Sequence, residues 1–304
     1  MHKIAVLGTI TRDTVIYPDS RKIESFGGIL YNILALSYLG KRNVKIYPAC
    51  NLGCDIYDSV LWILKKCKNV DIRGIRKVKR KNNHNFLIYD KKGNRDEISR
   101  NSVPELTYSQ LKPFLNSDVI LVNFISGKDI DLKTLKKLKK NTSALIFMDI
   151  HSLILGKGKS GKRFVKVPKN WLSFTGCADV VQCNFFEFSK LSNKKMDSSA
   201  KIKNFARSIL RSGPQVLLVT NGKINGYVIQ PGKNGVKVNR SIVPKIKKVK
   251  DLTGCGDVFS AAFLLSYLKS KDPVSSANFA NSVATYKCRF PGIENLSKLT
   301  NNFP

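Results

Sequence analysis

Short apolar runs alternate with helical patterns along most of this chain, and this alternation constrains the fold more than any other feature of the sequence. The runs lie at residues 3–8, 118–124, 143–150, 179–184 and 215–220. Strands that are apolar on both faces are typical of parallel sheets, because helices cover both sides of such a sheet. The pattern therefore predicts an α/β fold with a mostly parallel sheet between helices.

Residues 11–26 and 70–99 do not fit this layer, because their short strand-like runs are polar on one side. The second segment contains a turn pattern at Gly93-Asn94, which predicts a hairpin. We expect the two segments to form a small sheet that covers the carboxyl edge of the main sheet as a lid. The sequence contains no internal repeat or linker-like tract, so residues 1–304 are predicted to form one domain.

The excess of basic residues raises the question of nucleic-acid binding, since the 304 residues carry a formal net charge of +32. The lysines are spread throughout the sequence, whereas proteins that read DNA or RNA concentrate arginine and aromatic residues on one face. We therefore interpret the charge as a solvated, lysine-rich surface and expect no specific nucleic-acid partner. A basic nucleic-acid-binding protein remains an alternative.

Membrane insertion and secretion are not indicated by the sequence. It has no apolar run of about 18 residues, the length that a membrane span needs, so we expect no membrane partner. The N-terminal residues lack the cleavage-site pattern of a signal peptide. The seven cysteines do not show the C-x-x-C spacing of a structural zinc site. These features predict a cytoplasmic protein with reduced thiols.

The segment that carries most chemistry is Asp-Leu-Thr-Gly-Cys-Gly-Asp at residues 251–257, which precedes an apolar helical pattern. Gly254 and Gly256 allow a tight turn, so that their amides and that of Cys255 can point into one space. Together with the positive end of the helix, these amides would form an anion hole suited to a phosphoryl group. Asp257 could take a proton from a hydroxyl at this hole. The alternative is a simple glycine turn with Asp257 as a helix cap.

This segment resembles the D-T-x-G-x-G-D signature of the ribokinase family, also called the PfkB family of carbohydrate kinases. The match keeps Asp251, Thr253, Gly254, Gly256 and Asp257. It departs from the signature at Leu252 and at Cys255, where the family usually has a small residue such as alanine. Cys255 is still small, and that position supplies a backbone N–H.

Further stretches resemble the family in the expected order along nearly the whole chain. They are Asp13 after the first strand, Gly27-Gly28 with Asn32, the turn Gly53-Cys54-Asp55, the motif Asn184-Phe-Phe-Glu187, and the turn Thr220-Asn-Gly222. The family's turn usually reads T-x-G-x-x-G. Here its last glycine is displaced by one residue to Gly226, and Asn225 occupies the position where the family has glycine. The resemblance implies a ribokinase-like three-layer α/β/α sandwich with a small β-sheet lid.

The resemblance also implies roles for individual residues. Asp13, Gly27, Gly28 and Asn32 would bind the sugar or other acceptor; Asn184, Thr220, Gly222, Thr253 and Asn281 would bind ATP. Glu187 would hold Mg²⁺ through water, because Mg²⁺ keeps much of its hydration shell. Asp251, with Thr253, could bind a monovalent cation such as K⁺. From the residues alone, Asp13 and Asn184 could instead be caps, and Asn281 a solvated helix residue.

The function implied is ATP-dependent phosphorylation of an alcohol group of a sugar, sugar derivative or nucleoside, with Asp257 as general base and the Gly254–Gly256 amides as anion hole. A non-catalytic, ligand-binding relative of the same fold is the second alternative. The resemblance also implies that the protein could form a homodimer through the lid, because relatives often dimerise through this sheet. The basic segment 149–169 indicates either an anionic acceptor, such as a phosphorylated sugar, or a solvated loop.

Overall fold

The computed structural model describes residues 1–91, 95–233, 235–246 and 248–303. The strands are β1 (His2–Leu7), β2 (Ile10–Ile16), β3 (Lys22–Gly28), β4 (Val44–Gly53), β5 (Ile75–Val78), β6 (His84–Tyr89), β7 (Arg95–Arg100), β8 (Val119–Asn123), β9 (Leu145–Asp149), β10 (Leu155–Lys157), β11 (Arg163–Val165), β12 (Val180–Asn184), β13 (Val216–Asn221), β14 (Ile224–Gly232) and β15 (Gly235–Ser241). The helices are α1 (Ile29–Gly40), α2 (Tyr57–Lys65), α3 (Tyr108–Leu111), α4 (Leu132–Lys140), α5 (Trp171–Thr175), α6 (Phe185–Ser192), α7 (Ser199–Arg211), α8 (Cys255–Ser270), α9 (Pro273–Lys287) and α10 (Leu299–Asn302).

Nine of the described strands form one large sheet, in the spatial order β15-β14-β13-β12-β9-β8-β1-β4-β5. The strands from β13 to β5 pair in parallel, and β14 and β15 add antiparallel pairs at one edge. Every residue of β8 is buried, as expected of a strand with helices on both faces. The predicted mostly parallel sheet is confirmed, but the sequence analysis did not identify its antiparallel edge.

Alternate side chains of β1 pack on opposite sides of this sheet, as the two-residue repeat of a strand requires. Ile4 and Val6 lie in a cluster with apolar residues of α1, α8 and α9. Ala5 and Leu7 lie in a second cluster with residues of α4, α6 and α7. The sheet is therefore the middle of three layers. None of the helices described is long and apolar enough to cross a membrane.

A smaller sheet has the order β3-β2-β6-β7. Residues 11–26 fall within it, but only the later part of the predicted segment 70–99 does. The earlier part forms β5, which pairs with β4 at the edge of the large sheet, and its Ile75 is buried there. Burial of Ile75 against the main core explains this correction. The turn predicted at Gly93-Asn94 lies outside the described residues, between β6 and β7, which pair in antiparallel fashion.

The basic segment 149–169 is structured. A 3₁₀ turn (His151–Ile154) leads into β10 and β11, which form an antiparallel hairpin. This hairpin lies beside β7, because the Ser99 N–H donates to the Gly161 carbonyl at 2.9 Å. The lysines of the segment are exposed to solvent. The hairpin is thus a separate two-stranded sheet that lies along β7 of the small sheet.

Candidate active site

A cavity of about 560 Å³ lies between the small sheet and the carboxyl ends of the parallel strands. Six acidic residues line it: Asp13, Asp96, Glu97, Asp149, Glu187 and Asp257. This acidic lining contrasts with the net charge of +32 on the whole chain. The carboxyl edge of a parallel sheet is where ligands bind in open α/β folds, so this cavity is the candidate active site.

Polar residues end three neighbouring strands at this edge. Asn123 ends β8, Asp149 ends β9 and Asn184 ends β12. Asn123 is in register with Asp149, and Asp149 is in register with Gln182. Because the strands run in parallel, side chains distant in sequence converge at one edge of the sheet, where Asp149, Gln182 and Asn184 line the cavity.

Asp257 lies in the first turn of α8 and is buried at the cavity wall. Its Oδ1 accepts a hydrogen bond from Asn123 Nδ2 at 2.7 Å. Burial raises the pKa of Asp257 to about 6, although the hydrogen bond from Asn123 and the charge of Lys287 oppose this rise. The carboxyl group is therefore oriented by the protein and more basic than an ordinary aspartate.

The structure corrects the prediction for Asn32, which does not line the cavity. This residue is fully buried in α1. Its Nδ2 donates to the Asp257 carbonyl and to Ser260 Oγ, both at 2.9 Å, and its Oδ1 accepts from Asn123 Nδ2 at 3.0 Å. These bonds place Asn32 behind Asp257, where it supports the start of α8. The amide of Asn32 makes its hydrogen bonds inside the protein, because a buried amide must find partners there.

The turn before α8 depends on Gly254, which adopts φ +76°, and a Cβ at this position would overlap the ring of Tyr31. Gly254 and Gly256 both line the cavity. The Cys255 N–H donates to the Leu252 carbonyl at 3.2 Å, and its Sγ lies 3.1 Å from Cys288 Sγ. Of the three predicted amides, that of Cys255 is therefore already engaged within the turn.

Asp13 lies on β2 of the small sheet and lines the cavity opposite α8. Its Oδ1 accepts from Asn85 Nδ2 at 3.1 Å. Burial raises the pKa of Asp13 to about 7, against the hydrogen bonds from Thr11 and Asn85. A Cβ on Gly27 would overlap Asp13 Oδ2, so this glycine makes room for the carboxylate. Gly28 lines the cavity itself.

Glu187 and Asp149 form the second acidic part of the wall. Asn184 donates its N–H and its Nδ2 to Glu187, at 2.8 and 2.7 Å, in a reciprocal cap of α6. Burial raises the pKa of Glu187 to about 8. Burial, together with the charges of Glu187 and Asp257, also raises the pKa of Asp149, which accepts from Gln182 Nε2 at 2.7 Å.

These two carboxylates fit the donor set that Mg²⁺ prefers, since hard oxygen ligands suit this ion and their mutual repulsion favours a cation between them. No group of three or more ligating side chains that could hold a metal was found in the described part of the chain. The pair Glu187 and Asp149 suits an ion whose other ligands are water molecules and phosphate oxygens of a substrate. Glu187 and Asp149 would therefore hold Mg²⁺ with most of its shell supplied from outside the protein.

The residues expected to bind ATP are not all brought together. Asn184, Thr220 and Thr253 line the cavity. Gly222 adopts φ +57° in the turn after β13, where a Cβ would meet no atom within 4 Å. Asn281 is buried in α9, does not line this cavity, and donates its Nδ2 to the Ile242 carbonyl at 3.0 Å.

The prediction that Asp251 and Thr253 could bind a monovalent cation does not fit the structure. Lys287 Nζ lies 3.1 Å from Asp251 Oδ2 and also donates to the Thr253 carbonyl. Burial opposes ionisation of Asp251, but the Lys287 charge and the Thr253 N–H outweigh it and hold the pKa of this carboxyl below its ordinary value. An ammonium group thus occupies the place expected for an ion.

Arg163 is the arginine that the basic segment brings to the cavity. One of its guanidinium nitrogens donates to the Ser126 carbonyl at 3.0 Å, and its Nε lies 3.8 Å from Glu97 Oε1. Burial lowers its pKa, against the charges of Glu97 and Asp129. The structure favours the solvated interpretation for the lysines of the segment and gives Arg163 an acidic neighbour.

Sequence reasoning missed Asn123, Asp149, Gln182 and Lys287 as site residues. A signal was available for the first two, because each is the polar residue that ends a buried apolar strand. Gln182 lies inside a buried strand, and Lys287 lies at the end of a helix. No local pattern distinguishes these two from structural or solvated residues.

A sequence model of the pfkB family carbohydrate kinases matches residues 1–298. The cytidine kinase of Thermococcus kodakarensis is 21% identical over 273 residues, covering 89% of this chain and 90% of that protein. The bifunctional protein HldE of Bradyrhizobium diazoefficiens is 30% identical over 130 residues, or 42% of this chain; the matched part is 25% of that protein's length.

Two solved structures share the fold over nearly their whole length. The sulfate complex of a pyrophosphate-dependent kinase in the ribokinase family has a TM-score of 0.80 at 16% identity, covering 97% of this chain and 99% of that one. The Arabidopsis thaliana ribokinase complexed with ribose and ATP has a TM-score of 0.77 at 17% identity, covering 99% of this chain and 98% of that one. These likenesses confirm the predicted three-layer fold with its small sheet.

Proposed function

Because the chain belongs to the pfkB family of carbohydrate kinases, we propose that it transfers the γ-phosphoryl group of ATP to an alcohol group of a sugar, sugar derivative or nucleoside. The observation that carries this proposal is the buried carboxyl group of Asp257, which lies at the start of α8 and on the cavity wall. A carboxylate in this place can accept a hydroxyl proton while the helix N-terminus faces the phosphoryl charge.

In this mechanism Asp257 acts as the general base. A pKa of about 6 keeps it largely ionised at neutral pH while making it a better proton acceptor than an ordinary aspartate. Asn123 holds its Oδ1 at 2.7 Å and so fixes the direction in which the carboxylate faces the acceptor. A general base positioned in this way typically contributes about 10²–10⁴ to the rate.

The amides of Gly254–Gly256 stabilise charge on the equatorial phosphoryl oxygens. Gly254 and Gly256 line the cavity, and the first-turn N–H groups of a helix have no partner within the helix. The Cys255 N–H contributes when its 3.2 Å bond to Leu252 is released. One such donor is typically worth about 3 kcal/mol in the transition state.

Glu187 and Asp149, which line the same cavity as Thr220 and Thr253, would hold Mg²⁺. When bound, the ion neutralises charge on the phosphate oxygens of ATP. The resemblance to a ribokinase complexed with ribose and ATP supports ATP as donor. The likeness to a pyrophosphate-dependent kinase makes pyrophosphate the donor to compare in the test.

The acceptor is uncharged. Six acidic residues line the cavity, and the guanidinium of Arg163 already lies beside one of them, Glu97. A polyol can donate hydroxyl hydrogens to carboxylates such as Asp13, which favours an acceptor without charge. The cytidine kinase and ribokinase relatives support a nucleoside or a free sugar.

The test is product formation from ATP or pyrophosphate with a panel of sugars, sugar phosphates and nucleosides in the presence of Mg²⁺. We expect ADP release that depends on a neutral acceptor. If ligands raise the melting temperature without any turnover, the non-catalytic alternative is correct. If only nucleic acid binds, with loss of affinity at high salt, the charge explains binding and no kinase activity exists.

Two further properties belong to this proposal. The free cysteines fit a cytoplasmic location, where thiols stay reduced. The strand β3 is an edge strand of the small sheet, because it comes first in the order β3-β2-β6-β7 and pairs with β2 on one side. An exposed strand of this kind can pair with a second copy, so we propose a homodimer through the lid. Light scattering of the purified protein tests this state.

A further inference from the structure

Lys287 is a buried cation beside the candidate anion hole. It is the last residue of α9, and its exposed fraction is 0%. Its Nζ lies 3.1 Å from Asp251 Oδ2 and donates to the Thr253 carbonyl. The centroid of the Tyr31 ring lies 5.3 Å from the same nitrogen. A carboxylate, a carbonyl and an aromatic face therefore surround the ammonium group.

An ammonium group is costly to bury, so its partners must offset the lost hydration of Lys287. Every partner named above belongs to the turn before α8 or to the ring that packs against it. Thr253 immediately precedes Gly254, and Tyr31 contacts Gly254. The Lys287 side chain thus ties the end of α9 to the turn that presents the Gly254–Gly256 amides.

A monovalent ion does not fit at these ligands. Asp251 Oδ2 and the Thr253 carbonyl are bound to Lys287 Nζ, and Asp251 Oδ1 accepts the Thr253 N–H at 2.8 Å. An alkali ion at the same oxygens would lie against the ammonium, and like charges a few ångströms apart repel strongly in a buried site. The expected ion site and this lysine are mutually exclusive.

We propose that Lys287 is a built-in cation and a positioning residue, which holds the 251–256 turn in the geometry for phosphoryl transfer and makes the enzyme independent of monovalent ions. This inference rests on the proposed kinase function. The ammonium neutralises Asp251, whose charge would otherwise oppose an incoming phosphate. Its field also favours the ionised form of Asp257, since it lowers the pKa of that carboxyl group.

The first measurement uses the wild-type protein. With a neutral acceptor and MgATP, K⁺ is replaced stepwise by a bulky organic cation at a constant ionic strength of about 0.1 M. We expect turnover to change by less than about twofold, since the buried charge is supplied by the chain itself. A wild-type enzyme that needs K⁺ for activity overturns the proposal.

The second measurement uses Lys287→Met. We expect turnover to fall by about 10²-fold, as for loss of one electrostatic contact in a transition state, and K⁺ or methylammonium to restore part of it. The acidic limb of its pH profile should move to higher pH, because Asp257 loses a nearby positive charge. Lys269→Met, which removes an exposed lysine near the far end of α8, is the matched control and should resemble wild type.

A readout without activity separates this proposal from the kinase assignment. K⁺ should raise the melting temperature of Lys287→Met above that in the organic cation, and should not do so for wild type. If Lys287→Met does not fold in the organic cation, refolding it in K⁺ applies the same test, because a K⁺ ion at Asp251 would then replace the missing buried charge. If K⁺ does not raise the melting temperature of Lys287→Met, or does raise that of wild type, the built-in cation is contradicted even where no acceptor is turned over.

Discussion

Replacing the candidate base tests the chemistry most directly. Asp257→Asn keeps an oxygen that can accept the 2.7 Å hydrogen bond from Asn123, so the local geometry should survive. The amide is neutral, and burial disfavours the charged carboxylate at this position. We therefore expect a melting temperature at pH 8 equal to or above that of wild type.

Turnover should fall sharply, because an amide cannot take the acceptor proton. Loss of a factor of about 10²–10⁴ corresponds to about 2.7–5.4 kcal/mol of transition-state stabilisation, at about 1.36 kcal/mol per tenfold change. The wild-type kcat/KM should fall about tenfold per pH unit below a pH of about 6, where Asp257 becomes protonated. The part of this limb that comes from Asp257 should be absent from the residual activity of the variant, whereas the part from Asp13, whose pKa is raised to about 7 by burial, should remain.

The assay couples ADP release to acceptor phosphorylation at saturating MgATP between about pH 5 and pH 9. Asp179→Asn is the control, because this carboxylate pairs with Lys139 at 2.6 Å just before β12, at the end of the sheet away from the cavity. That variant should keep turnover within about twofold of wild type. An Asp257→Asn enzyme with turnover within about threefold of wild type would refute the base role.

Three further predictions follow from the same geometry. Gly254→Ala should lower the melting temperature, since φ is +76° and a Cβ would overlap the ring of Tyr31. Gly256→Ala, whose Cβ would meet its nearest atom at 3.9 Å, should fold normally but lose turnover, because the methyl group blocks the phosphate. Thermal unfolding and kinetics on both variants check these two outcomes. Asp13→Asn should be more stable than wild type at pH 8 by up to about 4 kcal/mol, because the Asp13 pKa is about 7 in the folded protein against 3.8 for a free aspartate. Ionisation of Asp13 therefore destabilises the folded state as pH rises through this interval. Denaturant unfolding at pH 4 and pH 8 should show a gain for the variant only at the higher pH, and kinetics should show a raised KM for the acceptor. Asn123→Ala should raise the pKa of the acidic limb above about 6, because the ionised form of Asp257 loses its hydrogen bond; an unchanged pH–rate profile would contradict the orienting role of this residue.

The fold illustrates why edges are harder to predict than centres. Central strands such as β8 are buried on both faces and therefore appear as apolar runs. The strand β5 has a buried Ile75 followed by two exposed residues, so its sequence resembles that of the small sheet although it pairs with β4. Which sheet a short strand joins depends on its partners, and those partners are remote in sequence.

Much of the candidate site was visible in the sequence, because its geometry is local. Gly254, Gly256 and Asp257 lie in a glycine turn and the start of one helix, and Asn184 and Glu187 lie three residues apart in one cap. Backbone freedom of glycine and side-chain capping are properties of short segments, so spacing alone indicates them.

Only the tertiary structure decided what surrounds these groups. Asn123 reaches Asp257 across 134 residues, Asn32 reaches its carbonyl across 225, and Lys287 reaches Asp251 across 36. Asn32, which resembled a ligand-binding residue, supports the start of α8, and a lysine takes the place expected for an ion. Burial and pairing of polar groups depend on which elements pack together, and this is set by the whole chain at once.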